Sequence, residues 1–385
     1  MLIVADENIP LLDPFFDDIG EIRRVSARQM TASDVTDADI LLVRSVTRVD
    51  ERLLAGSRVK FVGTATIGTD HVDQAWLQSQ KIGFASAPGC NATSVVEYVL
   101  SVINLFAERR GLDDWTSLTV GIVGAGNVGS ALDRCLTRLG FQTRVCDPPR
   151  ADAEASGEQA FVSLDEALGC DVVTLHTPLT ESGRHPTRYL LGAEKLGSLS
   201  SGQLLINSSR GEVVDGAALL TRLSRPDAPL VVLDVWEHEP QISVELAKQV
   251  WLATPHIAGY SLEGKVQGTE MIYQALCRFL GLPTRKSSGQ FLPQPALSKL
   301  GFSRTARSEE AAATAIRACY DPRRDDARLR QTLTLPDSNE RRLAFDDLRR
   351  NYPVRREFSS VKVQLKGGNR SLQDVFRSLG FRLKL

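Results

Sequence analysis

Short apolar runs alternate with longer polar stretches along most of the chain, and this pattern predicts alternating strands and helices. In the N-terminal part, the runs at 2–5, 40–43, 61–63 and 82–85 have the length of buried strands and leave room for a helix between successive strands. This alternation is typical of a parallel sheet. Ligands bind such sheets beyond the carboxyl ends of the strands, so polar residues at those ends are candidates for a site.

A glycine-rich turn follows the apolar run at 118–123. Gly124, Gly126 and Gly129 stand at GxGxxG spacing, and a helical pattern continues from there until Gly140. In a dinucleotide site the first glycine forms the tight turn, the second lets a pyrophosphate approach the backbone, and the third lets the helix pack closely on the strand. The pyrophosphate charge then meets the helix N-terminus. The order of strand, turn and helix therefore favours a dinucleotide site over a purely structural turn.

An acidic residue closes the next short strand, 143–146. Asp147 lies about twenty residues beyond the glycine turn, where a carboxylate accepts hydrogen bonds from the adenosine ribose hydroxyls. A carboxylate at this place repels a 2′-phosphate. Asp147 therefore favours NAD over NADP, although Arg150 nearby slightly weakens that preference.

A long apolar helical pattern at 91–107, with Asn91 as its candidate N-cap, precedes the glycine turn and is interpreted as the bridge between two lobes. Further short apolar runs in the second lobe each end in polar residues, at 171–175, 204–206, 230–233 and 250–253. After Gly281 a proline-containing stretch, 282–303, reads as a linker. Helical patterns at 308–320, 338–351 and 371–379 and one alternating strand at 359–365 follow it.

Composition limits the class of protein. The 385 residues are too many for one small core, which predicts two or three domains. Residues 286–385 carry 21 Lys and Arg against 11 Asp and Glu, but the signs alternate, so an interaction domain is favoured over nucleic-acid binding.

The cysteines form no CxxC motif or Cys/His cluster that would suggest a metal. With no run of membrane-spanning length and an acidic N-terminus, we expect a cytoplasmic protein without membrane partners.

Three residues at predicted strand ends have the chemistry of a dehydrogenase: Arg210, Glu239 and His256. Histidine suits the base that accepts a hydroxyl proton, because its pKa lies near the working pH. A carboxylate on the other ring nitrogen orients the imidazole and stabilises its cation. Arginine can bind a substrate carboxylate with both arms. Each residue alone also has a structural explanation, as a cap or a core histidine.

Several motifs together make the assignment more specific. GTATIGTDHVD, APGCNATSVVE, GIVGAGNVG, HTPLT, LLINSSRGEVVD, LDVWEHEP and TPHIAGYS occur in this order, and over roughly 1–285 the chain resembles the D-2-hydroxyacid dehydrogenase family. The resemblance implies that Arg210 binds the substrate, that Glu239 orients the histidine, and that His256 is the acid/base.

A closer resemblance within the family rests on ADENIP, LLVRSVT, TPHIAGYSLEGK and the C-terminal YDPR, and it covers the whole chain. It implies a phosphorylated 2-hydroxy acid as substrate, with contacts at Ser45, Thr66 and Tyr260. It also implies cofactor contacts at the three glycines of the turn and at Asn127, Val128, Asp147, Thr177, Ser208, Ser209, Asp234 and Gly259. TATIGTD lacks the second glycine of the common GTGTD form, which makes Thr66 a candidate specificity position.

The resemblance implies an α/β protein with two doubly wound parallel-sheet lobes and a small C-terminal α+β dimerisation domain. We predict a flavodoxin-like substrate domain at 1–95 and 260–285, a Rossmann-type NAD domain at 96–259, and the dimerisation domain at 286–385. The predicted function is NAD-dependent oxidation by a homodimer that does not bind nucleic acid. Two alternatives stay open: 3-phosphoglycerate dehydrogenase, and an NADH-sensing binding protein of the corepressor type.

Overall fold

The structure, a computed structural model, describes residues 1–153, 160–367 and 370–384. The chain forms two compact units, one of residues 1–92 with 260–294 and one of residues 93–259 with 295–385. We describe each unit by itself. The division into three domains stays a prediction.

The first unit is built on a parallel sheet in the strand order β2-β1-β3-β4-β5, the flavodoxin-like arrangement. Its strands are β1 Leu2–Asp6, β2 Glu21–Val25, β3 Ile40–Val43, β4 Phe61–Thr64 and β5 Gly83–Ala85. The helices between them are α1 Leu12–Phe16, α2 Ala32–Val35, α3 Glu51–Leu54 and α4 Gln74–Ser79. Every residue of β3 and β4 is buried, because helices cover both faces of a parallel sheet.

The second unit contains a six-stranded parallel sheet in the order β11-β10-β9-β8-β6-β7 among the described residues. Its strands are β6 Thr119–Val123, β7 Gln142–Cys146, β8 Val172–Leu175, β9 Leu204–Asn207, β10 Leu230–Leu233 and β11 Leu252–Ala253. The accompanying helices are α5 Ala92–Arg109, α6 Asn127–Leu139, α7 Pro148–Ala153, α8 Leu164–Leu168, α9 Ala193–Gly197, α10 Gly216–Leu223 and α11 Val244–Gln249. The strand order reverses between β6 and β8, and such a switch point opens a crevice for a ligand at the carboxyl ends of the strands.

Two long helices flank the second sheet in sequence. Residues 94–107 of α5 are all buried, including the polar side chains of Ser94, Glu97, Ser101 and Asn104. The prediction that Asn91 caps α5 is wrong, since its Oδ1 has no hydrogen-bond partner among the described residues. After β11 the chain returns to the first unit as α12, Leu262–Leu280, whose Val266 and Ile272 join the core under that unit's sheet.

The C-terminal residues form a small parallel sheet in the order β12-β13-β14, with helices packed beside it. The elements are β12 Lys299–Phe302, α13 Ser308–Cys319, α14 Arg323–Thr332, α15 Ser338–Arg350, β13 Lys362–Leu365, α16 Arg370–Ser378 and β14 Arg382–Lys384. The predicted fold class is confirmed: two parallel-sheet α/β lobes and a small C-terminal region of strands and helices. Within the described residues, the helices are too short or too polar to cross a bilayer.

Candidate active site

The glycine turn has the geometry that a dinucleotide site needs. Gly124 has φ +94°, and a Cβ there would lie 2.8 Å from the backbone of His176. A Cβ on Gly129 would lie 1.8 Å from the Gly124 oxygen, so glycine is required for close packing of helix on strand. A Cβ on Gly126, in contrast, would meet no protein atom within 4 Å. Protein packing does not require glycine at Gly126, which agrees with space kept open for a ligand.

The N-terminus of α6 faces this turn with no side-chain cap. Gly126 is the N-cap residue, and Asn127 and Val128 are the first residues of the helix. The backbone N–H groups of an uncapped first turn, together with the helix dipole, form a ready site for a phosphate anion.

Asp147 follows β7 and contacts the glycine turn directly. Its Oδ2 accepts a hydrogen bond from the backbone N–H of Ala125 at 2.7 Å, and its Oδ1 accepts from Arg150 N at 3.0 Å. The Arg150 guanidinium donates to the Ala125 oxygen at 2.9 Å. The carboxylate therefore fixes the turn in addition to its predicted role toward the ribose.

Arg210 is placed by a short network after β9. Asn207 Nδ2 donates to the Arg210 carbonyl at 2.9 Å, while its Oδ1 accepts from the backbone and hydroxyl of Ser209 at 3.1 and 2.8 Å. A Cβ on the following Gly211 would lie 2.0 Å from the Trp236 backbone. The turn that carries Arg210 thus packs tightly against the segment that leads to Glu239.

Glu239 and His256 form a direct pair, with Oε2 2.8 Å from Nδ1. The second carboxylate oxygen accepts from Trp236 N at 2.9 Å. Burial opposes ionisation of Glu239, but His256, with smaller contributions from Arg349 and the Trp236 N–H, outweighs it and lowers the pKa of the carboxyl below its usual value. An ionised partner on Nδ1 leaves Nε2 as the ring nitrogen that can take up a proton.

Asp234 organises the loop that carries this histidine, residues 254–259. Its Oδ1 accepts from Thr254 Oγ1 at 2.6 Å and Ile257 N at 2.9 Å, and its Oδ2 accepts from Ala258 N at 2.9 Å. Its backbone oxygen accepts from His256 N at 2.7 Å. These bonds hold His256 at a positive φ of +57°, which is uncommon for a residue with a side chain. Gly259, half-buried, closes the loop.

Two predicted substrate residues follow strands of the first unit. Ser45 is exposed just beyond β3. Thr66 is half-buried beyond β4, and its hydroxyl donates to the Gly68 oxygen at 3.1 Å and contacts Thr64 Oγ1 at 2.7 Å. Thr64 Oγ1 in turn lies 3.0 Å from Nε2 of His71. The Thr66 hydroxyl is therefore oriented by a chain of hydrogen bonds through Thr64 to His71.

Tyr260, the third of these residues, has two cationic side chains near its ring. The Lys265 Nζ lies 4.3 Å from the centre of its ring, and the Arg44 guanidinium lies 5.8 Å from it. Cations within about 6 Å of an aromatic face are attracted to it. Two basic side chains from distant parts of the sequence thus meet at one tyrosine.

Comparison with known proteins agrees with this chemistry. The family model of the D-isomer specific 2-hydroxyacid dehydrogenase NAD-binding domain matches residues 106–258, and a domain of unknown function matches residues 291–380. The chain is 68% identical over 385 residues, all of both chains, to the erythronate-4-phosphate dehydrogenase of Marinobacter nauticus. It is 53% identical to that of Hahella chejuensis over 100% of this chain and 99% of the relative. The chain belongs to the erythronate-4-phosphate dehydrogenase family. The resemblance inferred from the motifs is confirmed, and the protein is an NAD-dependent dehydrogenase.

Solved structures share the fold at lower identity. D-lactate dehydrogenase from Aquifex aeolicus, complexed with NAD and lactic acid, aligns with a TM-score of 0.59 at 24% identity, over 73% of this chain and 96% of that chain. NAD-bound 3-phosphoglycerate dehydrogenase from Entamoeba histolytica aligns with a TM-score of 0.60 at 25% identity, over 73% and 95%. Unlike the two erythronate-4-phosphate dehydrogenases, these structures leave about a quarter of the chain unmatched.

Two buried hydroxyls support the fit of NAD in this family member. Thr177 Oγ1 and Ser208 Oγ are buried without a hydrogen-bond partner among the described residues. Both follow strands of the NAD-binding sheet, β8 and β9, and buried polar groups normally have a partner. A bound dinucleotide would supply a hydrogen-bond partner for each hydroxyl.

The adjacent His176 is unsuited to proton transfer, because burial lowers its pKa to about 3 and keeps it neutral.

The structure also shows residues that motif analysis did not find. Trp236 Nε1 donates to the Thr254 oxygen at 2.9 Å, and Tyr98 Oη lies 2.8 Å from Thr254 Oγ1. Thr254 stands two residues before His256, so its position was a usable signal. Tyr98 lies within the long helix α5, where the sequence carries no signal of its role.

Proposed function

We propose that this enzyme oxidises 4-phospho-D-erythronate to (R)-3-hydroxy-2-oxo-4-phosphooxybutanoate with NAD, in pyridoxal 5′-phosphate (vitamin B6) biosynthesis. The full-length likeness to erythronate-4-phosphate dehydrogenases supports the substrate. The observation that carries the chemistry is the 2.8 Å contact between Glu239 and His256.

The roles of the chain's own residues follow from this geometry. His256 accepts the proton of the C2 hydroxyl at Nε2, and Glu239 stabilises the imidazolium that forms. Arg210 binds the substrate carboxylate. NAD, when bound, accepts the hydride released from C2. The glycine turn with Asn127 and Val128 would hold the pyrophosphate, and Asp147 would hold the ribose. The proposed contacts at Thr177, Ser208, Ser209, Asp234 and Gly259 complete the cofactor site.

Ser45, Thr66 and Tyr260 are the proposed substrate contacts of the first unit. Arg44 and Lys265 are the proposed phosphate-binding residues, because both pack on Tyr260 and a phosphate needs cationic partners.

We further propose a cytoplasmic homodimer that uses residues 286–385 as its interface. Light scattering of the full chain tests the dimer, and a mass of 42.2 kDa for the particle would contradict it.

A substrate panel tests the function. NADH formation is followed with 4-phosphoerythronate, 3-phosphoglycerate, erythronate and lactate at equal concentrations. We expect 4-phosphoerythronate to give the highest kcat/KM. The structural likeness to a 3-phosphoglycerate dehydrogenase makes that acid the second candidate substrate, and preference for it would contradict the proposal. NADH binding without turnover of any acid would favour the binding-protein alternative.

A further inference from the structure

Arg355 belongs to the second unit, in the stretch between α15 and β13, and only 5% of it is exposed. Its Nη2 donates to the Ser94 backbone oxygen at 2.7 Å, and its Nη1 donates to the Ala258 backbone oxygen at 3.1 Å. Ser94 Oγ donates to the same Ala258 oxygen at 2.9 Å. One guanidinium thus joins the first turn of α5 to the loop 254–259.

The buried guanidinium packs on an aromatic ring beside a carboxylate that binds two tyrosine hydroxyls. It lies 3.8 Å from the centre of the Tyr320 ring, and the Tyr320 and Tyr352 hydroxyls both donate to Asp325 Oδ2, at 3.0 and 2.7 Å. Burial opposes the charge, but the nearby carboxyl groups of Glu97 and Asp325 help to raise the pKa of Arg355 above its usual value. Arg355 is therefore a permanent cation, and its rigid fork can fix two carbonyls at once.

The Ala258 carbonyl belongs to loop 254–259, which Asp234 also binds. The Asp234 carboxylate accepts hydrogen bonds from Thr254 Oγ1 and from the backbone N–H groups of Ile257 and Ala258. Since Thr254 donates to Asp234, Tyr98 is the donor in its 2.8 Å bond to Thr254. Asp234 fixes the N–H side of the loop, and Arg355 with Ser94 fixes its carbonyl side.

We propose that Arg355 is a positioning residue for oxidation: by holding the Ala258 carbonyl, it sets the place of the His256 imidazole two residues earlier. The inference rests on the proposed function for the role of His256. A displacement of about 1 Å at a reacting group can cost on the order of 100-fold in rate, so a residue without substrate contact can still control turnover.

The test compares Arg355→Met with the wild-type enzyme. Met keeps much of the aliphatic length but donates no hydrogen bond. We expect kcat with 4-phosphoerythronate to fall roughly 10- to 100-fold, and KM for NAD to rise by a smaller factor, because Gly259 is the only proposed cofactor contact in the loop. Arg355→Lys keeps the charge but loses the fork, so its kcat should be intermediate.

Arg222→Met is the matched control. Arg222 lies in the same unit, is 4% exposed, and donates to the backbone oxygens of Leu199 at 2.6 Å and Leu196 at 3.2 Å. Its removal also leaves buried carbonyls without a donor, but none of them belongs to loop 254–259. We expect a comparable fall in melting temperature with kcat unchanged. Equal loss of kcat in both variants would reduce Arg355 to a structural role.

Amide hydrogen exchange gives a readout that does not depend on activity. Peptides covering 254–259 should exchange faster in Arg355→Met and at the wild-type rate in Arg222→Met. Wild-type exchange and wild-type kcat in Arg355→Met would overturn the inference; if that variant does not fold, Arg355→Lys decides by the same criteria. A wild-type enzyme inactive on 4-phosphoerythronate would refute the proposed function, while exchange would still test the hold on the loop.

Discussion

Glu239 and His256 are joined at 2.8 Å, Oε2 to Nδ1, although they follow different strands of the sheet, β10 and β11. The bond fixes which ring nitrogen carries the proton, and the Trp236 N–H fixes the carboxylate itself. The pair therefore has the arrangement in which a histidine works as a base and a carboxylate works through it.

Removing either member of the pair should slow turnover by different amounts. His256→Ala removes the base, so we expect kcat to fall at least 1,000-fold, on the order of a general base's contribution, with NADH still bound. Glu239→Gln keeps a hydrogen-bond acceptor but not the charge, and its loss should be smaller. Stopped-flow NADH formation and NADH titration measure both quantities.

His185→Ala is the control for this prediction. His185 lies in the same unit, and its Nε2 contacts Asp152 at 2.7 Å on the surface. Its kcat should match the wild-type value. If His256→Ala turned over as fast as this control, His256 could not be the base.

Asp147→Ala should weaken NAD binding and narrow the preference over NADP. Without the carboxylate the ribose loses an acceptor, and a 2′-phosphate is no longer repelled. Because Asp147 also accepts from Ala125 N, the glycine turn loosens, and we expect NAD affinity to fall about 10-fold or more. Calorimetric titration with each cofactor measures the ratio. Asp147→Asn, which keeps an acceptor, should retain more affinity for NAD; equal losses in both variants would argue against the role of the acceptor.

The elements around the glycine turn could be predicted, because the apolar pattern of the sequence there matches the residues that the fold buries. The run before Gly124 became β6, and the helix predicted to stop at Gly140 ends there with φ +99°. Helix α14, in contrast, could not be predicted from such a pattern. Only Asp325 and Leu329 are buried in that helix, so no apolar stripe marked it.

The site shows the same limit. Strand-end residues such as Glu239 and His256 could be proposed from motifs, because parallel topology brings strand ends to one edge of a sheet. The hydrogen bonds of Arg355 to Ser94 and Ala258 join residues 261 and 97 positions away in sequence. A contact of that separation leaves no periodicity to read, and the pattern of a single chain cannot predict it.

Phe345→Ala should destabilise the second unit. Phe345 is 1% exposed and belongs to the same core cluster as Leu246 and Val250 of the NAD-binding region. Truncating a buried Phe costs about 3–5 kcal/mol. Leu343→Ala on the same helix is the control, because Leu343 is 52% exposed and should cost well under that. Urea unfolding measures both; equal stabilities would show that α15 contributes little to this core.

His176 should make the protein less stable in acid. Its folded pKa of about 3 lies below the unfolded value of 6.5, because burial disfavours the cation. The unfolded chain therefore binds a proton first, and stability is lost as the pH falls from about 6.5 towards 3, at roughly 1.4 kcal/mol per unit. His176→Gln should show a shallower loss of stability than the wild type in denaturant titrations across this range. Parallel curves for His176→Gln and wild type would contradict this account.

Substrate choice should depend on the polar residues of the first unit. Arg210 can bind the carboxylate of 4-phosphoerythronate or 3-phosphoglycerate, so it cannot discriminate between the two acids. The longer acid has an extra hydroxyl, and a site built to bond a hydroxyl rejects an analogue that lacks it. Thr66, oriented by Thr64, and Tyr260 are the proposed partners. We expect kcat/KM to favour 4-phosphoerythronate by at least about 100-fold, and Thr66→Ala and Tyr260→Phe to reduce that ratio.

Recognition of the phosphate can be separated from recognition of the extra hydroxyl by comparing KM for 4-phosphoerythronate with KM for unphosphorylated erythronate. If Arg44 and Lys265, which both pack on Tyr260, bind the phosphate, Arg44→Met and Lys265→Met should raise KM for 4-phosphoerythronate about 10-fold or more. KM for unphosphorylated erythronate should change little, because no charge pair is lost. Lys60→Met, an exposed lysine of the same unit, is the matched control and should leave both constants unchanged. Equal increases in KM for both acids would show that Arg44 and Lys265 support the fold of this unit instead of binding the phosphate.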